Sequence, residues 1–340
     1  MLDPSGPPAV EHSLSLKGLR EHTYWLMPVF PLAEAAWIFT VGFSILKVHL
    51  LAMLAGLVLL AAWYAIVHRL SGGNRRLACL AVALIAVDES FIQGATLARP
   101  DMLAAAFGYS GIAAYVLLRA RSLRLAVFLS NAFVAVAGLT HPNAAMVCLP
   151  VLIAAVLVLD RKAISAPLLA FAALPYLVAG AAFGCYAALD PVAFREQFLS
   201  NSGGRLAGLS NPLRALFREP LRYAWFAFES RRASLRVIPL LIYGTAFVFV
   251  AATFRRRGVA CQKLIVLAGT AVFALALVDN FKFGFYRIYT IPGLAALAAA
   301  SYGDVYSAPG DRRSRHGATD GGGWQQRPSC DSRLAGKSIR

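Results

Sequence analysis

Four stretches of this chain, residues 50–67, 142–159, 163–189 and 237–254, contain no charged side chain. A helix rises about 1.5 Å per residue, so a ~30 Å hydrocarbon core is crossed by about 20 apolar residues, and each block falls near or above that length. Barrel strands would alternate apolar and polar residues, and these blocks do not. The chain therefore reads as all-α, a polytopic bundle of transmembrane helices. Only 15% of its 340 residues are charged, against about 25% in an average soluble domain. The formal charge of +16 suggests nucleic acid only if it covers a soluble face. Here Lys and Arg sit mostly in the short gaps between blocks, where the positive-inside rule uses them, so no nucleic-acid partner is implied. Cys79, Cys148, Cys185, Cys261 and Cys330 are scattered singly, without the spacing of a disulfide framework or a zinc site.

In order, the blocks predict spans near 50–68, 77–97, 102–118, 125–139, 143–159, 165–188, 237–254, 264–279 and 288–303. A further stretch at 26–45, interrupted by Pro28, Pro31 and Glu34, is either a span or an interfacial helix, giving eight to ten spans in all. The gaps at His68/Arg69/Arg75/Arg76, Arg119/Arg121/Arg124, Arg161/Lys162 and Arg255–Arg257/Lys263 belong in the cytoplasm by their charge. Three parts follow: an external loop with an interfacial or membrane helix (1–49), a membrane domain (50–303) with a long external loop at 189–236, and a basic tail (304–340) without hydrophobic period. Within the long loop, Arg214, Arg218 and Arg222 recur every four residues beside Leu213, Phe217, Leu221 and Trp225. That spacing predicts an amphipathic helix anchored to headgroups.

Ionisable groups at membrane depth cost about 2.5–3.5 kcal/mol and need a reason. Asp88 and Glu89 follow eleven uncharged residues after Arg76, placing them about 18 Å along a helix, unless that span breaks early and the acids meet water. Arg99-Pro100-Asp101 opens the next span. Pro suits a helix's first turn and Asp101 its dipole, whereas Arg99 is free for a phosphate or a carboxylate partner. His141 lies in a polar turn on the same side. Lys282, Tyr286, Arg287 and Tyr289 form a late cluster that aromatic-belt and snorkelling roles also fit. By the predicted topology Asp88, Glu89, Arg99, Asp101, His141, Lys282 and Arg287 converge on one external face. Carboxylates beside phosphate-binding cations at a bilayer surface suit transfer from a lipid-linked phosphate.

The segment Tyr24-Trp25-Leu26-Met27-Pro28-Val29-Phe30-Pro31-Leu32 with Val41-Gly42-Phe43-Ser44, the turn Ala95-Thr96-Leu97-Ala98-Arg99-Pro100-Asp101-Met102-Leu103, and residues 282–292 with Tyr286, Tyr289 and Pro292 resemble membrane-embedded GT-C glycosyltransferases. The likeness is to the protein-mannosyltransferase and RgtA/B/C/D-like branch (glycosyltransferase family 39-like), over roughly residues 1–300. It implies a hexosyl- or pentosyltransferase with a polyprenyl-phosphate-linked sugar donor, membrane lipids as surroundings, and inverting transfer on the external face. It also implies a catalytic acid in the first external loop, for which Asp3 is the early candidate here, with Asp88, Glu89 and Asp101 as further acids. Arg99, Lys282 and Arg287 would surround the donor phosphate, with His141, Tyr286 and Tyr289 nearby. The span preceding that loop in the family has no counterpart in this sequence. If 26–45 crosses the membrane, Asp3 leaves the site. Some members of such families use a divalent metal and others do not, and no ligand spacing decides the cofactor here. A transporter or lipid flippase with Asp88 and Glu89 on its path, and an inactive truncated transferase, are the alternatives. The composition leans towards a bacterial inner membrane.

Overall fold

The computed structural model describes residues 23–24, 26–199, 209–228, 233–279 and 282–306. Asp3, most of the basic tail and parts of the long loop lie outside them. The chain divides into a unit of residues 1–301 and a second unit of 302–340, of which only the residues completing the last helix are described. Among the described residues every regular element is helical: α1 Val29–Val41, α2 Ile45–Leu70, α3 Arg75–Ala86, α4 Glu89–Thr96, α5 Pro100–Leu118, α6 Leu123–Thr140, α7 Pro142–Asp160, α8 Ala166–Ala187, α9 Pro191–Phe194, α10 Pro212–Phe217, α11 Glu219–Phe228, α12 Ala233–Ala252, α13 Val259–Val278 and α14 Ile291–Tyr306. A 3₁₀ turn, Gly284–Tyr289, joins the last two.

Six of these segments (Ile45–Leu70, Pro100–Leu118, Leu123–Thr140, Pro142–Ala163, Ala166–Ala187 and Val259–Val278) are long and apolar enough to cross a bilayer. Counting the bent pair α3–α4 as one span gives seven among the described residues. Helices α12 and α14 stand where the spans near 237–254 and 288–303 were expected, with the apolar stretches Leu241–Ala252 and Ile291–Ser301 within them, and Val29–Val41 is a further short apolar helix. The chain is an integral, multi-pass membrane protein. Large apolar side chains such as Phe39, Leu57, Leu177 and Val178 stand exposed on its flanks, where lipid replaces water as their surroundings.

In two segments the structure chooses between readings that the sequence left open. The stretch at 26–45 is only a 13-residue helix ended by Gly42 at φ 80°, a left-handed conformation that glycine adopts readily. At about 20 Å that helix is too short to cross alone. Ser44 then caps α2 by accepting from the Lys47 N–H, so the first long helix begins at residue 45 rather than 50. The span foreseen at 77–97 is broken: α3 and α4 meet at a 66° bend. Asp88 leaves the helical path there and its carboxylate accepts from the Ser90 N–H at 2.8 Å. A carboxylate at an N-cap satisfies backbone donors that lipid cannot, which is why the break falls on this residue.

α5 is the hub. Two-thirds of its span (67%) is buried in protein against 6% of α8, and it packs on α2, α6 and α7. Close approach to α6 depends on Gly111, where a Cβ would lie 2.6 Å from the Ser130 carbonyl oxygen. Small residues at helix crossings are how membrane helices gain contact without a hydrophobic driving force. At the basic end of the bundle Arg119 clasps the Asp160 carboxylate through Nε and a terminal nitrogen at 2.5 and 2.6 Å, with the Tyr115 hydroxyl at 2.6 Å. At the opposite end of α5 the 3₁₀ turn packs against α4, α5, α7 and α11, gathering residues far apart in sequence.

Candidate functional site

Pro100 at the first position of α5 has no N–H to lose. It sets Arg99 and Asp101 side by side at the helix start, and Arg99 Nε donates to Asp101 Oδ2 at 2.9 Å. The guanidinium also lies 4.0 Å over the Phe285 ring, a cation–π contact that fixes its plane. Its terminal nitrogens make no hydrogen bond among the described residues, and the side chain is 40% exposed. Asp101 itself is buried, and its other oxygen has no hydrogen-bond partner.

That oxygen faces His141 Nε2 at 3.6 Å. His141 opens α7 by accepting from the Asn143 N–H on Nδ1 at 3.2 Å. With Nδ1 accepting, Nε2 is the ring nitrogen turned towards Asp101 and the Tyr286 hydroxyl at 3.4 Å. Tyr286 and Tyr289 ring centroids lie 5.2 and 6.5 Å from the imidazole. The Tyr289 hydroxyl is buried without a partner, and burial, with the Asp101 charge added, pushes its pKa far above the usual tyrosine range. Tyr109, from mid-α5, donates to the Tyr289 carbonyl and holds this part of the turn down.

The remaining cations are occupied. Arg287 is buried, donates from Nε to the Gly284 carbonyl at 3.1 Å, and acts electrostatically on Asp88 at the α3–α4 break. Glu89, in the first turn of α4, accepts from Gln93 at 3.1 Å. Lys282, expected beside a donor phosphate, is instead turned inward: it is 5% exposed and its ammonium donates to the Ala276 carbonyl at 2.6 Å and reaches Glu219 at 3.1 Å. Burial lowers its pKa from the ordinary lysine value, against the opposing pull of Glu219. The expected stripe of headgroup-binding arginines also fails at Arg222. The helix breaks at Arg218 between α10 and α11, and Arg222 is fully buried between Glu219 at 2.6 Å and Asp279 at 2.5 Å. Arg214 and Arg218 keep the exposed position foreseen for them. No group of three or more His, Cys, Asp or Glu suited to a metal occurs among the described residues.

Arg99, Asp101, His141, Tyr286 and Tyr289 therefore form one contact set and Lys282 belongs to another with Glu219, Arg222 and Asp279, while Asp88 caps α4 in the electrostatic field of Arg287. The 3₁₀ turn brings α4, α5, α7 and α11 together, and the fold as a whole resembles solved structures. The crystal structure of ArnT from Cupriavidus metallidurans bound to undecaprenyl phosphate superposes with a TM-score of 0.58 and 15% identity, covering 87% of this chain and 53% of that one. The fold is GT-C-like. The Archaeoglobus fulgidus oligosaccharyltransferase in its apo form (TM-score 0.47, 13% identity) covers 87% of this chain and 44% of its own. AglB from the same organism, in complex with an inhibitory peptide and a dolichol-phosphate (0.46, 12%), covers 86% and 44%; the fold assignment rests on the ArnT match alone. The chain spans about half the length of these structures. No protein-family model matches it, and no curated protein matches it in sequence.

Sequence reasoning passed over Glu219 and Arg222 as a site feature. A signal for the pair was present, since Glu219 and Arg222 are spaced i, i+3 and can bond on one helix. Nothing in the sequence pointed to Asp279, 57 residues from Arg222, as their partner.

Proposed function

We propose that this chain is a membrane glycosyltransferase that moves a sugar from a polyprenyl-phosphate-linked donor to an acceptor on the extracytoplasmic face of a bacterial inner membrane. The observation that carries the reading is Arg99. Of the three cations expected at a donor phosphate it alone presents an exposed edge, held in a fixed plane by Asp101 and Phe285. An Arg fork with free terminal nitrogens matches a phosphate bidentately. The GT-C-like fold, and the undecaprenyl phosphate in the ArnT structure, support the same ligand class here.

In such a transfer the acceptor hydroxyl attacks the anomeric carbon and gives its proton to a carboxylate. The bond from that carbon to the phosphate oxygen breaks, and polyprenyl phosphate leaves with the electron pair. Arg99 stabilises the charge growing on the departing phosphate. Asp101 holds Arg99 by one oxygen and keeps the other beside His141 Nε2. Asp3 stands as the early acid and Asp88 and Glu89 as supporting acids. A divalent metal is an open requirement of the reaction. A transport path past Asp88 has less support, because that carboxylate is buried and caps α4.

The test is transfer of labelled sugar from a polyprenyl-phosphate donor by the purified full chain. Arg99→Ala is expected to lower kcat/KM by about 10²-fold, or ~3 kcal/mol of transition-state stabilisation, and Asp101→Asn by about tenfold. Full activity in both variants sinks the assignment of these residues.

A further inference from the structure

The buried quartet Glu219–Arg222–Asp279–Lys282 touches no exposed surface, yet it is wired to the Arg99 site. Arg222 donates from Nε to Glu219 Oε1 at 2.6 Å and from NH1 to Asp279 Oδ2 at 2.5 Å and to the Phe283 carbonyl at 3.0 Å. Its NH2 reaches Glu219 Oε2 at 3.2 Å and the Asp279 and Leu275 carbonyls at 3.3 and 3.4 Å. Asp279 Oδ2 also accepts from the Phe283 N–H at 3.2 Å. Both backbone polar groups of Phe283 are thus held by one ion pair. The residue before it, Lys282, sits at φ 59°, a left-handed conformation that a side chain bearing a Cβ keeps only under constraint. Ammonium contacts to Ala276 and Glu219 supply that constraint.

From Phe283 the path to the site is short. The Phe283 ring stacks on Phe285 with centroids 5.2 Å apart and planes 12° from parallel. Phe285 is the ring beneath the Arg99 guanidinium, and it packs edge-on against Tyr286 at 4.4 Å, the tyrosine that faces His141. A quartet serving only to bolt α11 to α13 has no need to grip the backbone of Phe283. We infer that Arg222 is a positioning residue for phosphate recognition: by clamping Asp279 and the backbone of Phe283 it sets the Phe283–Phe285 stack that orients the Arg99 fork. This rests on the reading of Arg99 as the phosphate-binding cation. Charge cannot reach the ligand directly, because Arg222 is wholly buried and neutralised by its partners; its effect is transmitted through ring positions.

The experiment measures binding of farnesyl phosphate, with farnesol as the phosphate-free control, to the purified full chain in detergent. Arg222→Lys keeps the charge but cannot make the fork's set of bonds. It is expected to weaken farnesyl phosphate about fivefold to tenfold and to leave farnesol within about twofold, while Arg99→Ala weakens farnesyl phosphate about tenfold or more. The decisive reading is the double variant: on the Arg99→Ala background, Arg222→Lys is expected to add less than about twofold, because the residue it positions is gone. Glu219→Gln loosens the same clamp without removing Arg222. An intermediate loss of about twofold to threefold is expected from it, and it carries the comparison if Arg222→Lys does not fold. Farnesyl phosphate affinity unchanged in the clamp variants while Arg99→Ala weakens it overturns the positioning role alone. So does an equal loss from Arg222→Lys on both backgrounds. Unchanged affinity in Arg99→Ala overturns the phosphate reading itself, and the positioning role with it.

Discussion

Asp88 illustrates how one side chain can resolve a conflict between sequence and solvent. A carboxylate eleven residues into an apolar stretch is costly as a mid-helix group, and here it is not one. The chain breaks, and Asp88 accepts the Ser90 N–H at the start of α4 while lying in the field of Arg287. Asparagine caps helices about as well as aspartate, whereas alanine leaves the donor unmet. Asp88→Ala is therefore expected to lower stability by about 1–2 kcal/mol, and Asp88→Asn by less, because the amide oxygen retains the cap. Thermal unfolding of the detergent-solubilised protein measures the order; equal losses would assign the cost to the lost charge opposite Arg287. The early break was one of two readings the sequence allowed, and only the backbone path chose between them.

At the scale of elements, the arrangement of the site depends on how closely α5 can lie against α6. The Gly111 backbone comes so near the Ser130 carbonyl that no side chain fits between them. Gly111→Val is expected to force the helices apart and to cost about 1–3 kcal/mol through overpacking. The loss should appear as a lower melting temperature and a smaller folded fraction on gel filtration, with any remaining activity depressed because α5 carries Arg99 and Asp101. Wild-type melting in this variant would mean that the crossing has room to spare. The helices themselves were foreseen from apolar length and from Pro100 at a helix start. The amphipathic helix was not realised as one piece. Arg214, Arg218 and Arg222 do recur at helical spacing, but the break at Arg218 turns Arg222 inward, where Glu219 and Asp279 compensate its buried charge.

At the scale of the whole molecule, the orientation in the membrane is a prediction from the basic gaps. By the positive-inside rule residues 68–76 are expected in the cytoplasm and the start of α5 on the other side. In a variant lacking the five native cysteines, Thr96→Cys and Asn211→Cys, both at exposed positions, are expected to react with an impermeant thiol reagent in intact cells. Gly73→Cys, in the turn between α2 and α3, is expected to react only after the membrane is opened. The reverse pattern would put Arg99 in the cytoplasm and remove the proposed extracytoplasmic transfer.

Membrane class, helical architecture and the run of basic gaps were determined by the sequence alone. They depend on local quantities: apolar length against bilayer thickness, and charge within a few residues of a helix end. The grouping of Arg99, Asp101 and His141 was also foreshadowed, since each stands at a polar helix start. What only the tertiary structure decided is which cations are left to meet a ligand. Lys282 and Arg287 look as available as Arg99 when read along the chain, but the first is spent on Glu219 and the Ala276 carbonyl and the second is buried, with its Nε on the Gly284 carbonyl. Arg99 keeps an open edge because its carboxylate, two residues away, engages only Nε. A buried charge must find a partner wherever the fold supplies one, and Asp279 lies 57 residues from Arg222, beyond the reach of any local pattern.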